Sequence, residues 1–263
     1  MTKLIAFDLD GTLTQHKTPL TEENRWVLDR LGMRYRLLMV GAGQCGRIFS
    51  QMREYPIDII GNYGMQYSRY DAATGKSILL RNDCVPCDRA SVTERITQLR
   101  RRFGYTDYIG DGVEFHPSGC VTFPLCGTGA AQEDKLNFDP DRSRRRAIFG
   151  EVCRLFPEFN VFIGGSSSFD MAPVPYDKYN ALDRYCRENG YAHSEVVFVG
   201  DDYGEGGNDA SGYRSDFGFV CVDDYRRLGD FVAPLLDAPA GTVILDKMIG
   251  SDHENRKDER KQL

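Results

Sequence analysis

Residues 3–14 read KLIAFDLDGTLT, an apolar run from Leu4 to Leu9 broken by Asp8 and followed by Asp10, Gly11 and Thr12. The run predicts a buried strand, and Asp with Gly is an ordinary way for a strand to enter a turn. The spacing says more. Residues two apart in a strand point the same way, so Asp8 and Asp10 can present both carboxylates to one spot just past the strand end. Two anions that close repel, so the pair asks for a metal cation or for one partner kept as an acid. A calcium loop is excluded, because that motif needs its glycine at the sixth position and a glutamate at the twelfth, and Gly11 is fourth from Asp8.

Outward from this stretch the pattern alternates strand and helix. Thr21 to Met33 carries Trp26, Val27, Leu28 and Leu31 at helical spacing, with Thr21 as the N-cap. Arg36 to Val40 reads as a second buried strand ending in Gly41-Ala42-Gly43, followed by a helix from Gln44 to Arg53 and a strand from Ile57 to Ile60. Such alternation implies an α/β fold, a doubly wound parallel sheet with helices on both faces. Between residues 82 and 176 the texture changes to arginine-rich helices (Ser91 to Phe103, Asp141 to Phe156) and short strands around a Pro-Ser-Gly turn. That composition suits an inserted α+β domain with an antiparallel sheet, splitting a core made of residues 1–81 and 177–246. The arginine runs are expected to be solvated helix faces. Residues 247–263 are charged, without apolar periodicity towards the end, and are expected to be disordered.

With 41% hydrophobic and 27% charged residues the chain of 263 reads as globular, and no stretch approaches the roughly 20 apolar residues of a membrane helix. The first residues run straight into a strand, so a cytoplasmic location without a membrane partner is expected. A net charge of −6 argues against broad nucleic-acid binding. The eight cysteines are expected to be free thiols, and Cys84-Val-Pro-Cys87, lacking a second such pair or nearby histidines, is weak evidence for zinc.

Ligands of parallel α/β sheets sit outside the carboxyl ends of the strands. The apolar strand Val196 to Val199 leads directly into Gly200-Asp201-Asp202-Tyr203-Gly204-Glu205-Gly206-Gly207-Asn208-Asp209, so Asp201 is expected to face the same point as Asp8. Oxygen ligands of this kind suit Mg²⁺. Lys178 opens the helix that follows the insert, where a surface lysine would be the default.

Taken together, FDLDGTLT, the station at Lys178 and GDDYGEGGND resemble the haloacid-dehalogenase-like (HAD) superfamily, in its branch with a large α/β cap (IIB). The segment from Gly164 to Lys178, GGSSSFDMAPVPYDK, matches the GGxxSFDxxPxxxDK pattern of eukaryotic-type phosphomannomutases, and the GDxxxxGGND loop matches as well. The resemblance runs from about Lys3 to Leu228. It implies Asp8 as the nucleophile that forms an aspartyl-phosphate and Asp10 as the general acid and base. It also implies Mg²⁺ held by Asp8, the carbonyl of Asp10 and Asp201, with Asp209 in support, and Lys178 offsetting charge on the phosphoryl group. Gly11 and Thr12 would shape the first loop. Ser168 and Asp170 would meet sugar hydroxyls, and Asn208 belongs to the same substrate-binding set. The implied partner is a small phosphorylated metabolite such as a sugar phosphate; the oligomeric state stays open, a dimer through the cap included.

Two departures matter. The loop after the second strand usually offers a Ser or Thr hydroxyl to the phosphate, whereas Gly41-Ala42-Gly43-Gln44 has none, leaving backbone N–H groups or Gln44 to substitute. Cap arginines of the phosphomannomutases correspond to His116, Thr128 and Lys135, and an arginine of the first loop to Lys17. A mutase must hold a bisphosphate by either end, for which rigid guanidinium forks matter. The sequence reading therefore places a Mg²⁺-dependent phosphatase first and a phosphomannomutase-like mutase second. A non-catalytic ligand-binding descendant comes last, given the intact Asp8, Asp10, Lys178 and Asp201.

Overall fold

The computed structural model describes residues 1–237 and 247–248. In chain order the elements begin with β1 (Leu4–Phe7), α1 (Glu22–Gly32), β2 (Arg36–Val40), α2 (Cys45–Gln51), β3 (Asp58–Gly61), β4 (Gln66–Asp71) and β5 (Lys76–Asn82). There follow α3 (Arg89–Phe103), β6 (Glu114–Phe115), β7 (Val121–Pro124), α4 (Gln132–Phe138), α5 (Ser143–Leu155), β8 (Phe159–Phe162) and β9 (Ser168–Pro173). The chain continues with α6 (Lys178–Asn189), β10 (Val196–Gly200), β11 (Gly218–Cys221) and β12 (Lys247–Met248). They form two compact units: Met1–Arg81, Lys178–Tyr203 and the described residues from Ser211 onward in one, Asn82–Asp177 with Gly204–Ala210 in the other.

The first unit is built on an eight-stranded sheet in the order β12-β11-β10-β1-β2-β3-β4-β5. β1 lies between β10 and β2, parallel to both, with Phe7 opposite Val199 and Met39. Its side chains alternate between two cores: Ile5 and Phe7 join Leu28, Leu31 and Ile48, while Leu4 and Ala6 join Leu182, Tyr185 and Phe198. Both faces are covered, which is why β1 reads as continuously apolar rather than alternating. The sheet is not parallel throughout: β4 runs antiparallel to β3. Neither β4 nor β5 was expected, because their residues are polar or exposed and carry no buried run. Among the described residues β5 ends the sheet, with Ile78, Leu79 and Leu80 exposed.

α1 starts where its cap predicts, with the Thr21 hydroxyl accepting from Asn24 N at 3.2 Å. Its buried face differs from the expected one. Trp26 is 58% exposed, its ring under Arg30, whereas Asn24 is buried and donates from Nδ2 to the carbonyls of Leu13 and Tyr225, both at 2.8 Å. An amide that meets two carbonyls can sit inside.

The second unit is a four-stranded antiparallel sheet, β6-β7-β9-β8. Val121, Phe123, Phe169 and Met171 pack with Val92, Ile96 and Leu99 of α3 and Ile148 and Val152 of α5. The alternate residues Thr122 and Asp170, paired across β7 and β9, therefore face the other way. α4 went unread in the sequence because none of its seven residues is buried.

The arginine runs are not wholly solvated. Arg100 and Arg145 are buried, the latter 1% exposed. Arg100 donates to the carbonyls of Tyr105, Gly112, Pro124 and Leu125, and Arg145 to Gly164, Gly165, Ser168 and to Asp139 Oδ2 at 2.8 Å. Each guanidinium replaces water for a cluster of carbonyls at strand and loop ends, which a burial rule based on residue type does not foresee. Of the tail expected to be disordered, Lys247 and Met248 instead form β12, parallel to β11; residues 249–263 lie outside the described part.

Candidate active site

β1 and β10 end side by side, and Asp8 N–H continues the ladder by donating to Val199 O at 2.9 Å. This register sets Asp8 beside the loop that opens with Asp201. Asp8, Asp201 and Asp209 each offer a carboxylate oxygen, all within 4.8 Å of one another, with Asp8 and Asp209 buried. Three converging carboxylates, two of them out of water, repel unless a cation joins them. A hard, oxygen-liganded divalent cation fits this donor set. Asp201 is placed by the first loop: Thr12 Oγ1 donates to its Oδ1 at 2.9 Å. Gly11 has φ +100°, and a Cβ there would lie 2.4 Å from Asp201 Oδ2, so only glycine lets the two loops close up.

Lys178, the first residue of α6, is no surface lysine. It is buried, and its Nζ donates to Asp8 Oδ1 at 2.6 Å. A buried ammonium demands an anionic partner, and a reacting phosphoryl group brought to Asp8 would meet this charge.

Asp10 is held on every oxygen. Oδ1 accepts from Lys17 N and from Gln51 Nε2, both at 2.7 Å; Oδ2 lies 3.4 Å from both Nη atoms of Arg47. Burial pushes its carboxyl up, but the Gln51 and Lys17 hydrogen bonds and the His16 and Arg47 charges outweigh this and hold it below the ordinary aspartate value. Gln51, buried at the end of α2, also donates to Thr14 Oγ1 at 3.0 Å and accepts from Arg47 Nη1 at 2.6 Å. Sequence reading missed Arg47 and Gln51, stopping at Gln44. The available signal was their four-residue spacing, which puts both on one face of the helix that follows the second loop.

The other expected residues fall as follows. Gly41 is buried at the end of β2, and Gln44 is the exposed N-cap of α2 with no side-chain capping bond. Lys17 meets Asp10 through its backbone, its side chain being exposed. Asn208 is half-buried in the loop after β10. In the second unit Ser168 Oγ donates to Gly164 O at 3.0 Å, and Lys135 Nζ to Thr128 O at 2.9 Å. Asp170 Oδ1 accepts from Thr122 Oγ1 at 3.2 Å, and Thr122 Oγ1 stands 3.0 Å from His116 Nε2. With the threonine donating to the carboxylate, His116 donates to the threonine through Nε2–H. His116, Thr122 and Asp170 thus form one polar row on the sheet face opposite the helices. Beside Asp201, a cleft of about 600 Å³ in the first unit is lined by Gly11, His16, Tyr225 and Arg226 among others. Among the described residues no helix is long and apolar enough to cross a membrane.

The eukaryotic phosphomannomutase family profile matches residues 108–220. A phosphomannomutase of Triticum aestivum is 27% identical over 228 residues, covering 81% of this chain and 86% of the relative. One from Saccharomyces cerevisiae is 25% identical over 217 residues, covering 78% and 83%. Among solved structures, a haloacid dehalogenase-like hydrolase from Bacteroides thetaiotaomicron superposes with a TM-score of 0.54 at 18% identity, over 90% of this chain and 99% of that one, a likeness of fold. These similarities favour the phosphomannomutase alternative over the phosphatase that the sequence reading placed first. The chain is thus similar in sequence to eukaryotic phosphomannomutases and shares the fold of a haloacid dehalogenase-like hydrolase.

Proposed function

We propose that the protein catalyses Mg²⁺-dependent phosphoryl transfer on a sugar phosphate through an aspartyl-phosphate, as a phosphomannomutase-type enzyme. The observation that carries this reading is the buried Lys178 ammonium 2.6 Å from Asp8 Oδ1, in a cluster of three carboxylates. Asp8 attacks phosphorus with the oxygen not held by Lys178. Asp8, Asp201 and Asp209 would hold the cation, which supplies charge neutralisation for the phosphoryl oxygens. Asp10, held as an anion by Gln51 and Lys17 N, accepts the proton of the hydroxyl that takes the phosphoryl group back from Asp8. In the opposite direction the same carboxyl, carrying that proton, gives it to the leaving oxygen. The half-buried Ser168 and Asp170 would meet sugar hydroxyls.

One observation favours a second reading, hydrolysis. Two arginines of the second unit, Arg100 and Arg145, are buried and committed to carbonyl oxygens. Its sheet face opposite the helices carries His116, Thr122 and a carboxylate, Asp170, at positions where a mutase would use guanidinium forks for a second phosphate. The deciding experiment supplies mannose 1-phosphate or glucose 1-phosphate with the matching 1,6-bisphosphate and Mg²⁺. Phosphate-neutral formation of the 6-phosphate supports the mutase; free phosphate as the main product supports the hydrolase; neither product, with and without Mg²⁺, overturns both.

A further inference from the structure

The second loop lacks the hydroxyl that would hold a phosphate, and the two substitutes considered from sequence do not fill its place well. α2 is only seven residues long, and the N–H of its first residue, Cys45, is already taken by Gln66 Oε1 at 2.9 Å. Gln44 has an amide and no charge. A third group stands at the same loop. The Arg47 guanidinium folds back over Gly43, so closely that a Cβ on Gly43 would lie 2.1 Å from Nη2 and 2.5 Å from Nε. Gly43 thus leaves room for a guanidinium where another residue would put its own side chain.

Arg47 is fixed at one end and available at the other. Nη1 donates to Gln51 Oε1 at 2.6 Å, which orients the fork, and Gln51 is itself anchored on Asp10 and Thr14. Nη2 has only the 3.4 Å approach to Asp10 Oδ2, a long contact, and the side chain is 42% exposed. β1 and β2 run parallel in register, Phe7 beside Met39, so the loop bearing Gly43 leaves the sheet next to Asp8.

We infer that Arg47 is the phosphate-binding residue of the second loop, its guanidinium taking the phosphoryl oxygens that a loop hydroxyl would otherwise hold. The inference rests on the phosphoryl-transfer reading of the site. It assigns Gly43 a matching role, that of keeping the space over the loop empty. A guanidinium offers paired donors and a permanent charge, so it replaces a hydroxyl with a stronger contact.

The test is calorimetric titration of the full chain with inorganic phosphate in saturating Mg²⁺, for wild type, Arg47→Met and Arg47→Lys. Arg47→Met should weaken phosphate binding by about ten-fold or more, the loss expected for one charge-assisted contact. Arg47→Lys, which keeps the charge without the fork, should fall between the two. A thermal transition of Arg47→Met within error of the wild type locates the loss at the site rather than in the fold. Adding Gly43→Ser to Arg47→Met should restore part of the affinity by supplying the missing hydroxyl. Phosphate binding by Arg47→Met equal to wild type overturns the role of Arg47 and leaves the phosphoryl-transfer reading standing. A folded wild type that binds no phosphate at all overturns that reading and this role with it.

Discussion

The two units bury positive charge in opposite ways. In the first, Lys178 points its ammonium at a carboxylate, Asp8, that also belongs to a cluster of acids. In the second, Arg100 lies among backbone carbonyls, and Arg145 combines carbonyls with the carboxylate of Asp139. A buried cation over carbonyls closes strand ends and loops. A buried cation over a crowd of carboxylates compensates charge that no hydrogen-bonding need of the fold explains, and only that arrangement is prepared for a further anion. The nature of the partners, rather than the number of arginines in a run, separates scaffold from chemistry.

The contrast breaks most sharply at Asp8. Asp8→Asn should abolish turnover on any phosphorylated substrate while the chain still folds, because an amide keeps the volume and a hydrogen-bond acceptor for Lys178. Asp10→Asn should cost roughly 10²–10⁴-fold, the range for a lost acid-base group. Single-turnover assays with circular dichroism as the folding control check both, and residual wild-type rates in Asp8→Asn would remove the nucleophile from the scheme.

On the scaffold side, Arg145→Met should destabilise the second unit by about 3–5 kcal/mol, since it leaves Asp139 charged and buried and removes the donor shared by the carbonyls of Gly164, Gly165, Ser168 and Asp139. Hydrogen exchange resolved by segment should show the loss in α5 and around Gly164–Ser168. A uniform, small change would mean that this cation is not a structural one. The same pair predicts an acid response. Burial raises the Asp139 carboxyl, but Arg145 and the N–H groups of Arg144 and Arg145 outweigh it and hold it below the ordinary aspartate value in the folded chain. The contribution is therefore full above the ordinary aspartate value and disappears as pH falls through the lower, folded one. Protection in α5 should drop on acidification in the wild type and be much less pH-sensitive in Asp139→Asn.

Smaller effects sharpen the comparison. Thr12→Val removes the hydrogen bond that orients Asp201 and should raise the Mg²⁺ concentration for half-maximal activity by roughly 10–100-fold, as for other groups behind a metal ligand. Thr21→Ala, far from any acid cluster, should cost only about 1 kcal/mol of stability through the lost N-cap, with no change in Mg²⁺ requirement. A metal phenotype in Thr21→Ala would show that the division between scaffold and site is drawn in the wrong place.

What the sequence made legible follows from how each feature is encoded. β1, β2 and β10 are buried on both faces and read as apolar runs; α1 declares its start through Thr21. β4 and β5 form a hairpin at the rim of the sheet, where pairing needs little apolar surface, and so leave no such trace. Asp8, Asp10 and Asp201 could be brought together from strand ends alone. For Arg47 and Gln51 the four-residue spacing gave only a shared helix face; that the Arg47 side chain folds backward over Gly43 is recorded by neither periodicity nor composition. Trp26 shows the reverse error: its size suggested the core, but its place on α1 leaves it outside while Asn24 goes in.

The free margin of the larger sheet bears on how the protein behaves at high concentration. β5 is the last strand among the described residues, and Ile78, Leu79 and Leu80 stand exposed along it. An open edge with three consecutive apolar side chains is a template onto which another extended segment can add. Arg81 is only 12% exposed and paired with Glu188, so Lys76, exposed at the other end of the run, is the charge that brakes such growth. Salt weakens that brake by screening, so concentrated stocks should turn cloudy sooner as ionic strength rises, and a charged residue in place of Leu79 should keep them clear.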